Sequence, residues 1–129
     1  MLIEHMSLTR VASSILTAAG APANHAEAVA QHLVEANLKG HDSHGVGMIP
    51  SYVKGMLDQQ VDPHRHAEII KDSNAIVSID AGTGLGRVVG IEAMDIGIDR
   101  AQKYGVSCVA LGNAAHLGRI GAFAEHCAD

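Results

Sequence analysis

Aromatic side chains are scarce in this chain. Of its 129 residues only Tyr52, Tyr104 and Phe123 carry such rings, and tryptophan is absent. Single-stranded nucleic acid is gripped by rings that stack on bases, so this composition argues against that class of partner. The core must instead come from Val, Ile, Leu, Met and Ala. Basic residues are also outnumbered: nine Lys and Arg face fourteen Asp and Glu, a formal net charge of −5. Such a surface offers a phosphate backbone no attraction. No nucleic-acid partner is expected.

Two cysteines, Cys108 and Cys127, cannot make a disulfide framework. Cys108 lies inside the apolar run "VSCVAL", where a thiol is expected to behave as a small buried hydrophobe. No window approaches the ~18 continuous apolar residues of a membrane span. The opening "MLIEHMSLTR" carries an early acid and no apolar h-region, so it does not read as a signal peptide. These absences lead to the expectation of a cytoplasmic protein with reduced thiols and no membrane partner. What is present, 47% hydrophobic and 18% charged residues, is the composition of one globular domain with a real core.

The first third reads as helical. Ser7 is the expected N-cap of a first helix with Leu8, Val11, Ile15 and Leu16 as its apolar stripe, and Gly20 closes it. A second helix is expected to start at Asn24 with Glu27 as its capping-box partner. Ala26, Val29, Ala30, Leu33 and Leu38 should share its buried face, and Gly40 should end it. Pro50 suits the first turn of a third helix, with Ile49, Val53, Met56 and Leu57 inward.

After the connector "VDPHRH" the periodicity changes. Residues Ala67 to Lys71 and Ala75 to Asp80 read as two strands around an Asp72-Ser73-Asn74 turn. Leu85 to Tyr104 returns to a helical period, with Gly105 as its stop; Gly90 and Gly97 inside it imply close packing against neighbours. "VSCVAL" then reads as a strand buried on both faces. "AFAEHCAD" begins a last helix that we expect to be cut off at Asp129. The expected fold is α/β (α+β): a helical portion over residues 1–62, then a small mixed sheet with flanking helices over 63–129.

Two polar loops carry the chemistry. "GHDSHGVG" sets His41, Asp42, Ser43 and His44 between glycines; its bland reading is that Asp42 caps the next helix and Ser43 bonds local backbone. "GNAAHLGRIG" places His116 after a strand and before a helix, where open α/β folds bind ligands. Its bland reading is a histidine bonded to nearby carbonyls. Gly118 and Gly121 permit close backbone approach, and Arg119 is a candidate cation for a carboxylate or phosphate. Histidine is the usual general acid or base near neutral pH. No metal is expected, since neither Cys-x-x-Cys nor His-Glu-x-x-His occurs and two histidines do not complete a zinc shell. "GTGLGR" lacks the third glycine of a dinucleotide fingerprint and reads as a tight start to the long helix.

Together, "ANLKGHDSHGVGMIPSYV" and "NAAHLGRIGAFAEHCA" resemble the second, non-Rossmann family of malate/L-lactate dehydrogenases. The resemblance runs over nearly the whole chain. It implies a homodimeric, NAD- or NADP-dependent oxidoreductase that interconverts small 2-hydroxy and 2-oxo acids. It implies that His44 donates a proton or touches the nicotinamide nucleotide, with Ser43 beside it at the substrate. It further implies that His116 is catalytic and that Gly118, Arg119 and Ile120 form a cofactor-binding segment. Met48 stands where many family members carry an arginine. The competing expectations are a shortened, non-catalytic dimerisation or binding domain and a metal-dependent hydrolase.

Overall fold

The structure, a computed structural model, describes residues 2–128. Helices α1 (His5–Ala18), α2 (Ala23–Leu38) and α3 (Ile49–Leu57) come first, with two short 3-10 turns, Asp42–His44 and Val46–Met48, between α2 and α3. Strands β1 (Glu68–Ser73) and β2 (Ile76–Asp80), helix α4 (Gly86–Tyr104), strand β3 (Cys108–Gly112) and helix α5 (Gly121–Ala128) follow. The sheet order is β1-β2-β3, with β1 antiparallel and β3 parallel to β2. This is the α/β mixed sheet with flanking helices that the pattern predicts.

Two helix starts differ from expectation. α1 is capped by Glu4, not Ser7: the Glu4 carboxylate accepts from the amides of Met6 at 2.9 Å and Ser7 at 2.6 Å. One acid thereby satisfies two of the unpaired first-turn amides, which leaves Ser7 inside the helix. α2 begins at Ala23 rather than at an Asn24 cap, because Pro22 supplies a preset φ of −53° and its carbonyl accepts from Ala26 at 2.8 Å. Glu27 then accepts from Gln31 along the helix instead of reaching back.

One apolar cluster lies among the helices: Ala12 and Leu16 of α1, Val29, Ala30 and Leu33 of α2, Tyr52 and Met56 of α3. Leu85, beside the start of α4, is buried in the same cluster. The buried stripes are narrower than expected, since Val11, Ile15, Leu38 and Leu57 are exposed. A second cluster joins Val77 and Ile79 of β2 with Ala93 of α4, with Val109 and Leu111 of β3 packed against it.

The sheet is covered by α4 on one face only. Val109 and Leu111 are half-buried while Cys108, Ala110 and Gly112 are exposed, an alternation that replaces the two-sided burial expected of "VSCVAL". The physical reason is one-sided cover: no described element packs on the sheet face opposite α4, so alternate residues of β3, like Ile76 of the central strand, stay outside. Cys108 is therefore an exposed thiol, not a core hydrophobe. Within α4 the glycines do serve close packing. A Cβ at Gly90 would fall 2.5 Å from the Phe123 ring, and one at Gly97 would fall 3.1 Å from Val109. Gly105, at φ +83°, closes the helix in the left-handed conformation.

Candidate functional site

The two polar loops meet. The imidazoles of His44 and His116, seventy-two positions apart in the chain, stack with ring centroids 5.5 Å apart and planes inclined by 27°. Each reaches this place by different means.

His44 ends the first 3-10 turn, and the loop holding it is built around Asn37 of α2. The Asn37 side chain accepts from the Val46 amide at 2.8 Å and donates to Asp42 at 2.6 Å. Asp42 is thus tied back to α2 and is not a cap for α3. Gly45 lies against Asn37 so closely that a Cβ there would fall 2.1 Å from the amide oxygen. Ser43 Oγ and His44 Nδ1 are 2.8 Å apart, a hydrogen bond that engages one ring nitrogen of His44.

His116 is held from three sides. Tyr52 of α3 is buried, and its hydroxyl lies 3.1 Å from His116 Nδ1 and 3.3 Å from the His116 carbonyl oxygen. The flanking chain is pinned to the start of α4, where the Ala115 amide donates to the Gly84 carbonyl and the Thr83 amide donates to the Asn113 carbonyl. Gly86 is the contact point: a Cβ there would sit 2.2 Å from the His116 carbonyl oxygen. The glycines of "GTGLGR" thus serve a tight helix start that receives the His116 loop.

The electrostatics suit proton transfer. Burial, aided by the neighbouring His44 ring, lowers the His116 pKa below the ordinary imidazole value, so the ring is neutral at pH 7. Burial pushes the Tyr52 phenol up to about 12, so it keeps its proton. One arrangement satisfies every group: Nδ1–H of His116 donates to the Tyr52 oxygen while the Tyr52 hydroxyl donates to the His116 carbonyl. Nε2 is then the basic nitrogen, and it can gain a proton without rearranging Tyr52. A small cavity of about 70 Å³ opens beside the ring, lined by Met48, Ser51, Tyr52, Val61, Ala115 and His116.

Arg119 departs from expectation. Its side chain is 8% exposed and makes a two-pronged bond to Glu125 of α5, at 2.9 and 2.6 Å, with Glu35 of α2 at 3.5 Å. The guanidinium is therefore committed to carboxylates of the fold and is not an open cation for a substrate. The Arg119 pair also holds the Glu125 carboxyl down at about 2, with Lys39 adding a second bond. Gly118 turns at φ +75° against α2, and Ile120 is exposed beside an apolar groove formed with Leu111, Leu117 and Phe123. Sequence reasoning missed Tyr52, Asn37 and the buried His32, whose roles depend on partners far along the chain. Among the described residues no group of three or more His, Cys, Asp or Glu is placed to hold a metal ion. No described helix is long and apolar enough to cross a membrane.

Comparison with known proteins decides the family. The model of the malate/L-lactate dehydrogenase family matches residues 3–129. This chain belongs to the malate/L-lactate dehydrogenase family. Hydroxycarboxylate dehydrogenase B of Escherichia coli O157:H7 is 47% identical over 109 residues, which cover 84% of this chain and 30% of that protein. Among solved structures, malate dehydrogenase from Pyrococcus horikoshii OT3 superposes with a TM-score of 0.92 at 33% identity, over 97% of this chain and 36% of that one. Sulfolactate dehydrogenase from Methanocaldococcus jannaschii gives 0.91 at 35% identity, again over 97% and 36%. The chain spans about a third of the length of these dehydrogenases.

Proposed function

We propose that this chain carries the proton-transfer side of a nicotinamide-dependent dehydrogenase acting on small 2-hydroxy and 2-oxo acids. The observation that supports this most is the stacked His44–His116 pair, brought together from two loops in a family whose relatives act on such acids. In oxidation, His116 Nε2 takes the hydroxyl proton of the substrate; in reduction it returns the proton to the new alkoxide oxygen. Tyr52 holds the other ring nitrogen throughout. His44, bonded to Ser43, closes the site beside the reacting carbon, and Ser43 faces the substrate.

NAD or NADP is the expected cofactor, and when bound it supplies the hydride chemistry. Within the segment Gly118, Arg119 and Ile120, only Ile120 is open to such a group: with the groove of Leu111, Leu117 and Phe123 it offers an apolar face for a flat ring. Arg119 brings no open charge for a phosphate, and its amide is already donated to His32. The substrate pocket fits a small uncharged side chain, because Met48, Val61 and Ala115 line it. A cytoplasmic homodimer accords with this reading.

A second reading treats the chain as a binding domain without turnover, and the pairing of Arg119 to Glu125 and Glu35, which leaves the expected cofactor segment no open cation, favours it. The test is direct. NADH or NADPH oxidation is followed with pyruvate and oxaloacetate for the native chain and for His116→Ala, with calorimetry of cofactor binding alongside. We expect at least ~100-fold lower turnover in the variant. A loss below tenfold removes His116 from proton transfer, and absence of both cofactor binding and turnover favours the binding domain.

A further inference from the structure

The buried histidine of α2 has no part in the chemistry just described, yet it touches the loop that presents His116. His32 is 1% exposed. Its Nε2 accepts a hydrogen bond from the Arg119 backbone amide at 3.0 Å. An acceptor nitrogen carries a lone pair, so the ring is neutral with its proton on Nδ1. The neighbouring Gly118 is equally committed: at φ +75° it turns so tightly that a Cβ would lie 2.2 Å from His32 Nε2. The ring is thus fitted to this one turn of backbone by shape and by hydrogen bond.

We infer that His32 is a positioning residue: its neutral ring holds the Gly118–Arg119 turn, thereby fixing the loop that carries His116, and proton uptake releases that turn. The loop has a fastening on each side of His116. On the near side the Ala115 amide is held by the Gly84 carbonyl. On the far side the Arg119 amide is held by His32, and no other described group accepts it. A protonated Nε2–H would point at the Arg119 N–H, donor against donor, so the far fastening cannot survive protonation.

The surroundings set when this happens. From α4 the Arg87 guanidinium faces the ring, with one buried nitrogen unpartnered; Arg119 faces it from the loop, itself paired to Glu125 of α5. Glu35, on α2 itself, is the opposing negative charge, and the Phe123 ring lies 6.2 Å away. Burial chiefly, and Arg87 next, lower the His32 pKa to about 4 against the Glu35 charge. The fastening therefore holds at neutral pH and opens in acid.

This assignment is read without any turnover, so it stands or falls separately from the dehydrogenase reading. The experiment uses the whole ¹⁵N-labelled chain and records amide exchange at Arg119 and the ring-nitrogen shifts of His116. Three proteins are compared: native, His32→Leu and His32→Gln, whose side-chain oxygen can replace Nε2 as acceptor. We expect Arg119 exchange to rise at least tenfold in His32→Leu, with the His116 shifts displaced, and both to return toward native in His32→Gln. A native pH titration should move the Arg119 amide with a midpoint near 4 while Val77, in the sheet, stays fixed. If His32→Leu does not fold, this titration decides alone. Native-like exchange in His32→Leu overturns the inference, and so does an acid transition that moves Arg119 and Val77 together.

Discussion

The two polar loops hold similar residues and are built by opposite means. The Gly40–Gly47 loop is organised by one neighbour close in sequence: Asn37 grips Val46 and Asp42, and Gly45 leans on it. The Asn113–Ile120 loop is organised from across the molecule by Tyr52 of α3, His32 of α2 and the backbone around Gly84 and Gly86. The lesson concerns rigidity. Of the two stacked imidazoles, His116 is mounted on a frame with several independent supports, and His44 is mounted on one.

The contrast can be broken at its strongest point first. Gly86→Ala would drive a Cβ into the His116 carbonyl, a backbone group with nowhere to move, so we expect a loss of about 3 kcal/mol in urea unfolding. Acid should act nearly as strongly on the second loop. His32 is held below its unfolded value of 6.5, so its contribution is complete above that pH and is lost as pH falls from 6.5 toward 4. Up to about 3 kcal/mol should disappear in this window, and His32→Gln should flatten that part of the stability curve.

Changes in the first loop should be milder. Asn37→Ala removes the acceptor for the Val46 amide and should cost about 1 kcal/mol, because the loop lies near water that can take its place. A cost equal to that of Gly86→Ala would erase the difference between the loops. Tyr52→Phe should also cost about 1 kcal/mol in stability, with a larger displacement of the His116 ring-nitrogen shifts.

What the sequence made legible follows the same division. Features written by neighbours were readable: Pro50 in the first turn of α3, Gly105 as the left-handed stop of α4, the helix–strand order, and polar loops at the ends of regular elements. Features decided by a contest between adjacent caps, or by distant partners, were not. Glu4 could be recognised as a cap only once its carboxylate was seen to serve two amides at once. Pro22 displaced Asn24 because a preset φ outweighed a side-chain preference. "VSCVAL" looked two-sided because apolar residues run without a break, yet α4 covers only one face of the sheet and the pleat of β3 leaves alternate residues on the open one. Arg119 drew attention as a cation, while its partners Glu35 and Glu125 lie eighty-four positions before it and six after it. His32 and Tyr52 sat in ordinary helical patterns and carried no local mark of the loop they hold.

The central claim is that His44 and His116 act as one pair, with His116 kept neutral and basic. Its most direct measurement is the titration of the His116 ring, followed by NMR in the native chain and in His44→Ala. The account predicts a native midpoint below the ordinary imidazole value of about 6.5 and an upward shift when the His44 ring is removed. A native midpoint at or above 6.5 that does not move in His44→Ala would contradict it.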